Sequence, residues 1–224
     1  MSFRLLVSFA ALFLPWLLRR LVLVHLLGYT IDKTAQIGFS WICPHRLEMG
    51  PYSRIGHLNL CKEGLELLRL GEKAIIGNVN WITGEPLTSR VHFKHRMDRC
   101  PQLVLANHAS ITNRHYIDCT APVYLGRFSV FAGCRSQIMT HSVDLYESRQ
   151  DCFPIRIGDF CFVGTDCVLL GGASLPDYSV LGAKSLLNKS YCETYYLYAG
   201  VPARPVKKLP SGAKYFTRAM GFVN

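Results

Sequence analysis

The chain has 224 residues, with 25 Lys and Arg against 15 Asp and Glu, a net charge of +10, and half of its residues are apolar. So apolar a composition excludes a disordered chain, and the length allows one domain of ordinary core size plus an appendage. The basic excess calls for an anionic neighbour, which nucleic acid, acidic lipid headgroups or a phosphorylated small molecule would each supply, and only the placement of Lys and Arg can choose among them.

Residues 1–27 are almost wholly apolar apart from Arg4, Arg19, Arg20 and His25. The uncharged run from Leu5 to Leu18 makes a helix of about 21 Å, short of a hydrocarbon core of about 30 Å. No small-x-small cleavage site follows it, and Trp16 and an Arg pair stand where a signal peptide would be cut. The segment therefore reads as a monotopic helix kinked at Pro15. Trp16, Arg19 and Arg20 would lie at headgroup level, which makes the protein cytoplasmic and peripheral on the inner face of the cell membrane. The alternative is a helix buried against its own domain or a partner subunit.

From Ile157 to Ser190 the chain divides into hexads, IGDFCF, VGTDCV, LLGGAS, LPDYSV, LGAKSL and LNKS, with an aliphatic residue first, often Gly second and a small residue fifth. The same frame recurs from Ile31, Met49, Leu70, Leu105 and Leu125, with phase jumps that mark insertions. A period of six fits neither an amphipathic helix nor an alternating strand. Three hexads instead make one triangular turn of a parallel β-helix, which is expected over residues 28–198, with residues 1–27 and the tail 199–224 as caps. Cys161 and Cys167 fall on the small fifth position, and the nine cysteines hold no C-x-x-C and no zinc-ligand spacing, so they read as packing residues.

Two stretches leave the frame. Residues 84–102 are basic, with a short apolar core at Val91 and Phe93, and residues 138–154 form a polar loop. Loops extruded from a rigid solenoid are where chemistry tends to sit. His92 and His95, in the first, are placed to face headgroups or an acidic acceptor. His115 and Arg135 put bulk at the fifth position, so either the frame breaks locally or a polar group points into a site. Asn107 and His108, about one coil edge before His115, are candidates to line the same pocket.

THSVD at Thr140–Asp144, the run PIRIGDFCFVGTDCVLLGGASLPDYSVLGAKSLLNKS, and AGVPARPVKKL at Ala199–Leu209 together resemble the hexapeptide-repeat acyltransferases, and within them the maltose and galactoside O-acetyltransferase branch. The N-terminal LPWLLRR and the RHYIDCT and RSQIMTHS stretches are similar to bacterial exopolysaccharide and O-antigen O-acetyltransferases. The resemblance implies an all-β fold, a left-handed parallel β-helix of hexapeptide repeats with an apolar N-terminal helix and a short C-terminal tail. It implies an O-acetyltransferase that moves an acetyl group from acetyl-CoA to a sugar hydroxyl of a cell-surface polysaccharide or glycolipid, without a metal. His141 matches the family's catalytic His, and the chemistry asks for one, because a sugar hydroxyl is a poor nucleophile until a base takes its proton. Asp144, or a backbone carbonyl, would orient the imidazole. Thr165, Gly182, Ala183, Asn188 and Lys189 match positions along the coenzyme's arm, and Arg204 and Lys207 match the basic end that holds its phosphate. Ser142 and Phe162 depart from the usual Pro and Trp, and Lys184 from the usual Gly.

The family also implies a homotrimer, with the cleft between the His loop of one chain and the C-terminal coils of the next, and a free or lipid-linked saccharide as acceptor. Two other readings use the same fold. A γ-carbonic-anhydrase-like zinc enzyme needs three suitably spaced His, which the sequence lacks. A non-catalytic scaffold or nucleic-acid binder would use the charge alone, yet no nucleic-acid motif is present and none is expected as a partner.

Overall fold

The computed structural model describes residues 2–89, 91–96 and 98–221. Their short strands stack into three parallel faces. The first runs from Thr30–Ile31 to Ser174–Leu175, the second from Gln36–Ile37 to Val180–Leu181, and the third from Trp41–Ile42 to Leu186–Leu187. Each strand pairs in register with the strand one turn later, as Leu103–Leu105 does with Val123–Leu125, so the chain coils as the left-handed parallel β-helix expected from the repeat. The apolar first position of the hexads lies inside: Ile55, Ile76, Ile111, Phe131, Val163 and Leu181 form one buried column. A six-residue period is thus the length of one triangle edge, two or three strand residues plus a corner.

The corners explain the small fifth position. Its neighbour at the fourth position takes a left-handed backbone, as at Phe128, Phe160 and Tyr178, turning the next side chain inward, where space is least. Between the second and third faces these inward side chains form a polar ladder. The backbone N–H of each rung donates to the side chain one coil before: Asn59 to Ser40 at 2.8 Å, Asn80 to Asn59 at 2.9 Å, His115 to Asn80 at 2.9 Å, Ser136 to His115 at 3.2 Å and Cys167 to Ser136 at 3.0 Å. Corner amides that the parallel sheets leave unpaired are thereby satisfied.

The ladder corrects two expectations. His115 is 2% exposed, with Nδ1 accepting from Ser136 and Nε2 facing the Thr112 hydroxyl at 3.0 Å, so it is a structural rung and points into no pocket. Burial drives its pKa down to about 4, which keeps it neutral. Arg135 is not at a fifth position. One extra residue in the Ala132–Ser136 corner gives Ser136 the buried place and leaves Arg135 in the left-handed place, exposed and 3.8 Å from Asp166.

At the open N-terminal end, α1 (Phe3–Ala10) runs through a 3-10 turn, Ala11–Phe13, to α2 (Trp16–Leu27), whose N-cap is Pro15. Gly28, at φ +69°, ends α2 in the left-handed region that only Gly adopts without cost. The arginines do not reach headgroup level as the sequence suggested. Arg19 is 4% exposed and donates to the carbonyls of Gly38 and Ser40 at 2.7 and 2.6 Å, Arg20 donates to Ile31 at 2.5 Å, and Arg4 to Pro44 and His45 at 3.2 and 2.6 Å. A first coil has no coil before it, and these guanidinium groups satisfy its free carbonyls. The outer side of the helices is left to Phe3, Leu6, Phe13, Leu17, Leu18 and Leu21, all exposed. No described helix is long and apolar enough to cross a membrane.

At the other end a hairpin, Tyr196–Gly200 with Ala203–Lys208, extends the second face and buries Tyr198. The rest of the tail does not cap the end. It doubles back outside the coils, where α3 (Lys214–Thr217) sets Phe216 edge-on to Tyr178 and Tyr195, in a stack that continues through Phe160 and Phe128 to His108.

Candidate active site

The site lies at the corner between the third and first faces, where the longest connections leave the coils. Residues 141–152 form an antiparallel hairpin, His141–Asp144 with Arg149–Cys152, and His141 is its first residue. It follows Thr140, which is 1% exposed, so the imidazole sits where the rigid coil ends. Gly171 of the next coil passes close beneath, where a Cβ would stand 2.6 Å from the Thr140 carbonyl.

The group that orients the imidazole is Asp118, which sequence reasoning missed. It ends the strand Tyr116–Asp118 one coil earlier and is 1% exposed. Its Oδ2 accepts from His141 Nδ1 at 2.9 Å, the Thr140 hydroxyl at 2.5 Å, the Thr140 N–H at 2.9 Å and the His141 N–H at 3.2 Å. Its Oδ1 accepts from the Thr120 hydroxyl at 2.7 Å and the Thr120 N–H at 3.3 Å. Burial opposes ionisation, but the hydrogen bonds from His141, Thr140 and Thr120 outweigh it and hold the carboxyl below its ordinary value. In return the hydrogen bond to Asp118 raises the pKa of His141 above that of a free imidazole, against the cost of partial burial. Every donor around Asp118 suits a carboxylate, so Nδ1 carries the proton and Nε2 is left with its lone pair. Asp144 lies elsewhere: its Oδ1 accepts from the N–H groups of Tyr146 and Glu147 and closes the hairpin tip.

His141 opens into a cavity of about 140 Å³ with Thr83, Gly84, Glu85, Phe93, Asp118, Thr120 and Gln150. Phe93 is the buried part of the basic insertion, 5% exposed and edge-on to the imidazole at 6.0 Å, whereas Val91, expected beside it in a small core, is 75% exposed. The insertion is pinned at both ends. Arg99 donates to the carbonyls of Glu85 and Pro86 at 2.5 and 2.6 Å, and Arg96 donates to Asp151 and the Cys152 carbonyl of the hairpin, both at 2.7 Å.

The other site residues of the sequence reading fall on different edges. Asn107 is at the corner between the first and second faces, where its Oδ1 accepts the Glu72 N–H at 3.0 Å, and it does not line the cavity with His141. Thr165, Gly182 and Ala183 are at the corner between the second and third faces. The Thr165 hydroxyl is hydrogen-bonded to the Cys134 backbone, and a Cβ on Gly182 would stand 3.0 Å from the Ala199 Cβ, a tight fit that favours a small residue there. Asn188 and Lys189 follow the last strand of the third face, with Lys189 Nζ over the Tyr191 ring, while Arg204 and Lys207 lie exposed on the closing hairpin. One chain thus carries the imidazole at the corner between the third and first faces, with Asn188 and Lys189 further along that same corner, and Thr165, Gly182 and Ala183 at the corner between the second and third. Among the described residues no three His, Cys, Asp or Glu side chains come together as a metal-holding group.

A hexad-built parallel β-helix with a His-bearing loop at one corner is the fold on which the chain is compared with known proteins. No protein-family model and no curated protein sequence matches the chain. Among solved structures it is similar to a hexapeptide-repeat acetyltransferase of Vibrio cholerae in complex with acetyl-coenzyme A, at 23% identity over 63% of this chain and 70% of that one, with a TM-score of 0.51. A polysialic acid O-acetyltransferase, at 18% identity over 80% and 84% and a TM-score of 0.44, and an N-acyltransferase from Bacillus cereus with dTDP and coenzyme A, at 13%, 80%, 80% and 0.47, are too distant to bear on this chain's chemistry.

Proposed function

We propose that the protein is an acetyl-CoA-dependent O-acetyltransferase acting on a sugar hydroxyl of a cell-surface polysaccharide or glycolipid, with His141 as general base. The observation that carries this reading is the His141–Asp118 pair, a half-buried imidazole fixed by a buried carboxylate at the mouth of a cavity. His141 Nε2 takes the proton of the acceptor hydroxyl as its oxygen bonds to the thioester carbonyl carbon. The carbon–sulfur bond then breaks and the proton passes to the departing thiolate, leaving an ester and free coenzyme A. Asp118 stabilises the imidazolium between these steps. No covalent intermediate on the protein is required.

The coenzyme's phosphates suit Arg204, with Lys207 beside it, and its arm suits the corner of Thr165, Gly182 and Ala183. Because that corner and His141 lie on separate edges, the active form is a homotrimer in which each cleft takes its base from one chain and its coenzyme groups from the next. The N-terminal helices turn their arginines inward and leucines and phenylalanines outward, the reverse of a soluble surface, which supports docking on the inner face of the membrane beside a lipid-linked acceptor. The test is to incubate purified protein with acetyl-CoA and surface glycan from cells lacking the gene. Saccharide-dependent thiol release with an O-acetyl group found by mass spectrometry supports the reading, and thiol release without saccharide acetylation overturns it.

A further inference from the structure

Beyond the small cavity at His141 lies a larger one of about 450 Å³, between the basic insertion and the catalytic hairpin. It shares Phe93 and Gln150 with the inner cavity, so the two adjoin at these side chains. Its other walls are Val91, His92, Lys94 and His95 on one side and Val143, Ser148 and Arg149 on the other. Four of these nine side chains are basic and none is a carboxylate. Asp151 is 2.7 Å from Arg96 and 3.6 Å from His95, and Asp144 caps the hairpin tip, where Glu147 is exposed; Glu85 and Asp118 belong to the inner cavity, beside the imidazole. Lys94 and Arg149 are in no ion pair among the described residues, and both are exposed.

Cations without partners, set on both walls of a cleft that adjoins the cavity of the base, are a feature of neither a core nor a neutral-sugar pocket. A neutral pyranose asks for carboxylate, amide and hydroxyl partners and an aromatic face, whereas an anionic one asks for Lys and Arg. We infer that the acceptor is a negatively charged saccharide, whose carboxylate or phosphate lies between Lys94 and Arg149 while the hydroxyl to be acetylated reaches His141. Phe93, Val91 and Val143 give the sugar rings an apolar surface between the two.

This inference rests on the proposed acetyl transfer for its acceptor but is tested by binding. Tetragalacturonate, its fully methyl-esterified form and glucose 1-phosphate are titrated by calorimetry into the full-length wild-type protein, His141→Ala and Lys94→Glu/Arg149→Glu. Tetragalacturonate or the sugar phosphate should bind the first two proteins alike, in a salt-sensitive manner, and the reversed variant roughly tenfold more weakly per changed charge. The ester should bind all three weakly. The anion that binds says which charged group the cleft takes. Equal binding of ester and acid, undiminished binding to the reversed variant, or binding of neither anion overturns the inference, and acetyl transfer to a neutral glycan in that case leaves the proposed function standing. Charge-dependent binding without acetyl transfer does the reverse.

Discussion

Replacing Asp118 with Asn keeps its size and removes its charge. All the groups around Oδ2 are donors, two of them backbone N–H groups that cannot reverse, so the new amide nitrogen takes the Oδ1 place, where it opposes one long bond from the Thr120 N–H at 3.3 Å and the Thr120 hydroxyl can turn to accept. The carbonyl then still faces His141 Nδ1, but as a neutral acceptor. A hydrogen bond to a charged group contributes about 1.5–3 kcal/mol, and losing that much from the imidazolium formed during proton transfer lowers the rate by roughly 10- to 150-fold. The pKa of His141 falls with it, since the bond to Asp118 is the largest cause of its elevation. A base works when neutral, so wild-type activity should rise with pH through a value above that of free imidazole, and the variant's acid limb should move to lower pH. The assay is thiol release from acetyl-CoA as a function of pH, with circular dichroism to show the fold retained. An unchanged rate and an unmoved acid limb would refute the pairing.

Arg19→Met leaves the Gly38 and Ser40 carbonyls of the first coil without their donor, and should destabilise the protein by about 2–4 kcal/mol in denaturant unfolding; an unchanged midpoint means that water serves those carbonyls as well. Leu17→Glu with Leu21→Glu changes only exposed positions of α2, so sedimentation with anionic liposomes should be lost while thermal stability stays the same. Arg204→Glu should raise the KM for acetyl-CoA far more than it lowers kcat, because the phosphate it would hold is remote from the reacting atoms; equal affinity by calorimetry makes the tail a plain charged surface. At acetyl-CoA well below the raised KM of Arg204→Glu, mixed trimers of His141→Ala and Arg204→Glu chains should turn over faster than either parent, whereas clefts contained within one chain would show no gain.

The solenoid was legible because its period is geometric: one hexad is one edge, and the aliphatic first position is the core. His141, the proposed base, was singled out by the motif around it. Its partner was not, since Asp118 and His141 meet across one coil, a separation set by the length of the insertions and by no local pattern. Its one trace is a carboxylate ending the apolar strand Tyr116–Asp118, followed by Thr120. Arg135 misled because a single inserted residue exchanges the buried and left-handed places of a corner. The arginines of α1 and α2 misled because composition says that charges seek water, while the open end of a β-helix offers them bare carbonyls instead.

The measurement that bears most directly on the role of His141 is single-turnover acetyl transfer by the His141→Ala and His141→Gln variants with saturating acetyl-CoA and acceptor. With the base gone and the coenzyme groups of the other edges untouched, the rate should fall by about 10² to 10⁴ while acetyl-CoA affinity stays within twofold of wild type, roughly the precision of such titrations. Either variant turning over at the wild-type rate would show that another group takes the proton.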